Sequence, residues 1–240
     1  MTNSFSSETY RSPKTLSYIT IALFGGLALC ALFYITMSIV MLFFPDSQLD
    51  LGHGGSLNVG VGLIGLVAIL EIPLRLGTIV FFLIWEYRAF NNLSALKAQN
   101  LEFSPGWAVG WWFIPFANLV KPFQAVRELY NESDPNFDAE TGFLQTSPDT
   151  PALITFWWAT YLISNVAFRV GDALIDKRSG QPSEYFPAAF LMAGVFSLTA
   201  ALLAIFIVRK VTENQELRFG KVLAAGQFSP PPPPTFNQNQ

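Results

Sequence analysis

The sequence predicts an all-α fold: a multi-pass transmembrane helical bundle of four spans plus a Trp-rich re-entrant or half-inserted segment. Three observations carry this. Of 240 residues, 51% are hydrophobic and only 13% charged, about half the charged share of an ordinary soluble domain. Apolar runs at residues 16–44, 59–85, 153–175 and 186–208 are each long enough, as helices, to cross most or all of a hydrocarbon core of about 30 Å. A further apolar stretch, Ser104–Pro122, holds three of the six tryptophans and is broken by Pro115. Whether that stretch crosses or dips and returns decides the placing of everything after it.

Residues 1–14 are polar and read as a disordered cytoplasmic N-tail ending in Arg11 and Lys14. No charge follows from Thr15 to Pro45, a run much longer than the apolar core of about 7–15 residues in a cleaved signal. It is read as a retained span. The connection 46–57 carries Asp46, Asp50, His53 and glycines but no Lys or Arg, and reads as a solvated loop. The run from Val59 carries Glu71, Pro73 and Arg75, and its helix should continue past the membrane through Tyr87, Arg88, Asn91 and Lys97. Trp85 and Tyr87 suit the headgroup level.

Ser104-Pro105 reads as an N-cap followed by proline at the first helical position. Pro115 disfavours helix at Ile114, so a half-helix of about 15 Å is expected. Pro122 can open a second helix in which Phe123, Val126, Leu129 and Tyr130 share one face, as suits an interfacial helix. The segment 105–131 is therefore re-entrant or interfacial. Asp134, Asn136, Asp138 and Glu140 alternate like calcium-loop ligands, but Ala139 stands where the turn glycine belongs and Gln145 where the bidentate glutamate belongs, which argues against calcium. Trp157 and Trp158 open the third run, and Arg209-Lys210 close the last. Residues 211–240 read as a cytoplasmic tail whose Pro230–Pro234 favours polyproline II, either a spacer or a ligand for an aromatic groove.

Positive charge arbitrates the crossing number. With a cytoplasmic N-terminus and a re-entrant 105–121, ten Lys/Arg lie inside (Arg11, Lys14, Arg88, Lys97, Lys121, Arg127, Arg209, Lys210, Arg218, Lys221) against two outside (Lys177, Arg178). If the stretch crosses, the count is six against six. Four crossings are favoured, with both termini cytoplasmic in a plasma or inner membrane; five remain the alternative. Non-helical backbone is tolerated at membrane depth only where protein or water satisfies it, so the other helices are expected to wrap Pro115–Asn118.

Charged groups inside spans face the bundle interior and pair. Glu71 and Arg75 have i,i+4 spacing with the acid first, and Arg169 and Asp172 are three apart. Antiparallel placement lets Glu71 be shared by Arg75 and Arg169. With Asn118 and Asn165 these form a candidate intramembrane polar network, serving as interhelical glue or as an ion path.

A net charge of −3 gives no footprint for nucleic acid. One cysteine, Cys30, and one histidine, His53, exclude an intrachain disulfide, a Cys/His metal cluster and a zinc-protease motif. No catalytic, cofactor-binding or metal residue is assigned, and no cofactor is expected.

Taken together, Trp85-Glu-Tyr-Arg88 with Asn92-Leu93, the run Pro105-Gly-Trp107 to Trp111-Trp112 and Pro115, then Asn118, Pro122, Glu128-Leu129 and Trp157-Trp158 with Ser164-Asn165 are similar to a mostly bacterial membrane family, domain of unknown function 4328. The resemblance implies an integral membrane protein with no assigned activity. A structural or interaction module is expected, not an enzyme, with membrane lipid and a protein partner or second copy as partners. A small transporter or channel component using charges around Glu71 is the alternative.

Overall fold

The computed structural model describes residues 10–44, 48–52, 55–136, 151–176 and 182–227. His53, Asp138, Glu140, Gln145, Lys177, Arg178 and the prolines of the tail lie outside the described residues. In chain order the elements are α1 (Lys14–Phe43), β1 (Gln48–Gly52), β2 (Gly55–Asn58), α2 (Val59–Ala95), α3 (Pro105–Gly110), α4 (Lys121–Glu132), α5 (Ala152–Ala173) and α6 (Phe186–Gln227). Helix dominates, as the composition predicts. The connection read as a loop is instead an antiparallel hairpin, β1 pairing with β2 at Leu49–Leu57 and Asp50–Ser56. Leucine alternating with Asp50 between Leu49 and Leu51 is a two-residue strand repeat, a signal that counting charge passes over.

Among the described residues, α1, α2 and α6 are long and apolar enough to cross a membrane. At 22 residues α5 has the length of a span, but its tryptophans, Asn165, Arg169 and Asp172 dilute it. The 37 residues of α2 and 42 of α6 make rods of about 55 and 63 Å, so both overshoot a bilayer core. Their polar ends meet in a head built with α3 and α4. The other end of the bundle carries the β hairpin.

Helix α1 runs antiparallel to both neighbours. Tyr34 meets Glu71 and Phe24 meets Phe82 of α2, while Lys14 pairs with Glu216 of α6 at 3.1 Å. Small residues set the α1–α6 approach: a Cβ on Gly194 would fall 2.8 Å from Ile35 Cγ1 and 3.2 Å from the Ala31 carbonyl. Without a hydrophobic force between helices in lipid, such close backbone packing supplies much of their association. Gly194→Val is therefore expected to lower stability by about 1–3 kcal/mol through overpacking, read as a lower thermal midpoint in detergent micelles.

The head has its own core of Trp85, Phe90, Leu93, Leu96, Val126, Leu129, Ile207 and Val211, all at most 1% exposed. Helix α2 ends in a Schellman turn: Ala98 N–H reaches Leu93 O and Lys97 N–H reaches Ser94 O, with Lys97 at φ 59°. Buried polar groups then lock α2, α4 and α6. Arg218 donates to the carbonyls of Leu96 (2.9 Å), Glu132 (2.7 Å) and Asp134 (3.2 Å). Gln215 donates to Ala89 O and Ser133 Oγ and accepts from Asn92.

Residues 10–14 are not a disordered tail. Tyr10 stacks on Phe219 with ring centroids 4.0 Å apart, Tyr10 and Ser12 both donate to Glu216, and Asn92 brackets the Arg11 backbone. A charged cluster at the start of α1 has found the acidic partner that the far end of α6 offers.

The Trp-rich segment is bent as its prolines require. Ser104 is extended at the start of α3, though its side chain makes no capping bond, and Pro105 holds the first turn. Helix stops at Gly110, a 3₁₀ turn follows over Trp111–Phe113, and Ile114 before Pro115 is extended. Ala117 N–H closes on Pro115 O at 2.8 Å around Phe116, whose φ of 63° is strained for a bulky residue. After a second 3₁₀ turn, Ala117–Leu119, α4 begins with Pro122 in its first turn. The two ends of the segment touch: Glu128 on α4 accepts the backbone N–H groups of Glu102 and Phe103, and Lys121 pairs with Glu102 at 3.4 Å. The helices do not wrap the bend as expected. Phe113 through Phe116 and Asn118 through Val120 are exposed, Phe116 at 86%.

Burial pushes the Glu128 carboxyl above the ordinary range, against the opposing pull of its two N–H donors. The folded state therefore holds this proton to higher pH than the unfolded chain. Stability should fall as pH rises from the unfolded carboxylate range through that of folded Glu128. Thermal midpoints across that interval should show the slope, and Glu128→Gln should flatten it.

Candidate functional site in the bundle

About a third of the way along α2, Glu71 is 6% exposed and each of its carboxylate oxygens accepts a hydrogen bond. Tyr34 Oη of α1 donates to Oε2 at 2.6 Å, and Arg75 Nη2 donates to Oε1 at 2.6 Å. The helical spacing delivers Arg75; the antiparallel packing of α1 delivers Tyr34. The Arg75 guanidinium lies 5.9 Å from the ring centroid of Phe168 on α5, a cation–π contact. Phe168 and Phe190 pack edge-on against Tyr34 at 5.5 and 6.2 Å. One carboxylate thus joins α1, α2 and, through Arg75, α5.

Two cavities meet at this pair. Toward the head lies one of about 240 Å³, bordered by Glu71, Arg75, Thr78, Tyr161, Asn165 and Ser197 and roofed by Phe82, Trp112 and Trp157. Toward the hairpin lies another of about 290 Å³, bordered by Tyr34, Glu71, Arg75, Phe168, Asp172 and Phe186. Each has room for several waters. Glu71 and Arg75 stand as the partition.

The rest of the proposed network does not assemble. Arg169 is exposed and makes no ion pair among the described residues, so Glu71 is shared by Arg75 and Tyr34, not by two arginines. Phe168 holds the inward position of α5, and one residue on is a turn of about 100°, which swings Arg169 outward. Asp172 is exposed at the rim of the hairpin-side cavity. Asn118 is exposed, and Asn165 donates to Tyr161 O of its own helix at 2.7 Å. Among the described residues, neither bridges helices.

The motif residues cluster instead at the head end. Trp85 Nε1 donates to Thr212 at 3.1 Å, Trp112 Nε1 to Glu86 at 2.9 Å, and Trp158 Nε1 to Leu119 O at 2.9 Å. Trp157 is buried beside Phe82, Pro122 is buried in α4, and Asn92 holds the Arg11 backbone. Tyr87 is 49% exposed and Arg88 half-buried. Trp107 and Trp111 lie with ring centroids 5.0 Å apart beside Pro105, and Pro115 forms the bend. Sequence reasoning missed Tyr34, Glu86 and Arg218. Glu86 is fully buried, with Oε1 unpartnered among the described residues; its signal was an acid flanked by the aromatics Trp85 and Tyr87. Among the described residues no cluster of His, Cys, Asp and Glu is arranged to hold a metal.

No curated protein and no solved structure matches the chain. The family model described as Domain of unknown function (DUF4328) matches residues 51–213, from the β hairpin through the bundle to the polar end of α6. That span holds Glu71, Arg75 and the Trp-rich segment, while Tyr34 of α1 and the head residues Gln215, Glu216 and Arg218 lie outside it. The chain belongs to the DUF4328 family.

Proposed function

We propose that the protein is a plasma- or inner-membrane structural and interaction module, not an enzyme. It crosses four times through α1, the first part of α2, α5 and the first part of α6. The Trp-rich segment is half-inserted from the cytoplasmic side, where both termini lie. Support for the shared side comes from the contact of Glu102 and Phe103 with Glu128, which brings the flanks of the segment together. Every Lys and Arg of the head fits the same side. The observation that supports the structural role is the engagement of both Glu71 oxygens, Oε2 by Tyr34 and Oε1 by Arg75, which ties α1 to α2 and balances the carboxylate with a neighbouring cation. Its partners would be lipid and another protein or a second copy.

Cysteine labelling in a Cys30→Ser background tests the placing. Probes at Ser94, Asn136 and Thr235 should react from the cytoplasmic side and a probe at Ser179 from outside. Outside labelling at Asn136 and Thr235 would establish five crossings instead.

One observation favours a second reading. The Glu71–Arg75 pair divides two cavities that together follow the bundle, as the gate of a small transporter or channel component would. Proteoliposomes loaded with a pH dye separate the two: a proton leak abolished by Glu71→Gln with the fold intact supports the gate, and equal leak from both proteins supports the structural role.

A further inference from the structure

On the outer side of the Trp-rich segment, Glu102, Phe103, Ser104, Trp107, Trp111 and Lys121 border a cavity of about 300 Å³. The walls are aromatic and the rim is charged. Lys121 Nζ lies 5.3 Å from the Phe103 ring centroid and 5.9 Å from that of Trp111. Its ion pair with Glu102 is long at 3.4 Å, and the Glu102 side chain is 61% exposed. Ser104, at the start of α3, spends its hydroxyl on no capping bond. Between two of its lining residues, Trp111 and Lys121, the chain carries Phe113, Ile114, Phe116, Leu119 and Val120, all exposed.

An apolar wedge next to an aromatic, oppositely charged pocket is arranged as a phospholipid is arranged. We propose that this pocket binds the headgroup of an ethanolamine phospholipid, a reading that rests on the half-inserted placing of the segment. Lys121 and the Ser104 hydroxyl donate to the phosphate oxygens, and the Glu102 carboxylate with the Trp107 face receives the ammonium. The four charges then alternate: ammonium of Lys121, phosphate, ammonium of the lipid, carboxylate of Glu102. Acyl chains lie along Phe116, Leu119 and Val120. A purely anionic headgroup brings phosphate but nothing for Glu102, which repels it. A choline headgroup keeps the charge but has no N–H to donate to the carboxylate. The charge order therefore selects ethanolamine, where a basic patch alone would favour anionic lipid.

The test is native mass spectrometry of the full chain with phosphatidyl-ethanolamine, -choline and -glycerol of matched acyl chains. Ethanolamine lipid should be retained at least about fivefold better than the other two. Glu102→Gln should cut the preference over choline lipid, Lys121→Ala should cut retention of all three, and Lys121→Arg should keep the wild-type order. Glycerol lipid bound as well as ethanolamine lipid, or an unchanged order in Glu102→Gln, overturns the site. Quenching of Trp107 and Trp111 by brominated acyl chains, read against a Trp107→Phe/Trp111→Phe protein, keeps the two layers distinct. Quenching without headgroup preference overturns the pocket alone, and no quenching overturns the half-inserted placing with it.

Discussion

Glu71→Leu is expected to cost about 3–5 kcal/mol, because it leaves the Arg75 charge unpaired among the helices. The loss should have two parts. Among the described residues, Tyr34 would be left with a buried hydroxyl facing no acceptor, and Arg75 would keep only its contact with Phe168. Unfolding of the detergent-solubilised protein measures both through a cycle over Glu71→Leu, Arg75→Leu and the double variant. The double variant should recover the part due to the stranded Arg75 charge, since an apolar pair needs no ionic partner, while the part due to the Tyr34 hydroxyl remains. Tyr34→Phe should cost about 1.5–3 kcal/mol as one hydrogen bond to a charged group. If the double variant is as unstable as the sum of the singles, the pair does not act as a unit and the structural role at Glu71 is lost.

Arg218→Met should be comparably severe, by about 3–5 kcal/mol, for a different reason. Arg218 is a fully buried cation, and the carbonyls it serves close the ends of α2 and α4. Methionine fills similar space but abandons three acceptors away from water. Hydrogen exchange should localise the damage, with protection lost around residues 93–98 and 129–135 before the bundle itself opens. Arg218→Lys, able to reach fewer carbonyls from one nitrogen, should fall between. Uniform loss of protection along α1 would mean that the head and the bundle unfold together.

Both results bear on what the residues alone disclose. The long apolar runs and the proline-broken tryptophan stretch were legible, because burial in lipid demands length and uncharged composition and proline bends the chain wherever it stands. The run 59–85 starts where α2 starts, and its polar continuation, read through Lys97, ends in the structure at Ala95. Side-chain facing was not legible. Arg169 and Phe168 are adjacent, and which one turns inward depends on the roll of α5 against α6, a packing outcome that spacing within α5 does not fix. Tyr34 sits 37 residues from its carboxylate, joined only when α1 and α2 settle into register. Gln215 and Arg218 fall in the stretch read as a cytoplasmic tail, and are core only because α2 and α4 close over them. Asn118 was expected inside because lipid penalises exposed amide; the strained turn at Phe116 instead throws that whole bend outward.

The unbroken length of α6 has a mechanical meaning. Past Pro187 the helix contains no proline up to Gln227, so the part in the bundle and the part in the head turn as one rigid rod. Were a thinner bilayer to tilt that rod by about 10°, an end about 28 Å beyond the pivot would swing by about 5 Å. Glu216 and Arg218 ride on that end, and with them the anchorage of Tyr10 and the closure of α4. Strain imposed by lipid on one side of the protein is thereby delivered, undamped by any joint, to the opening of its chain.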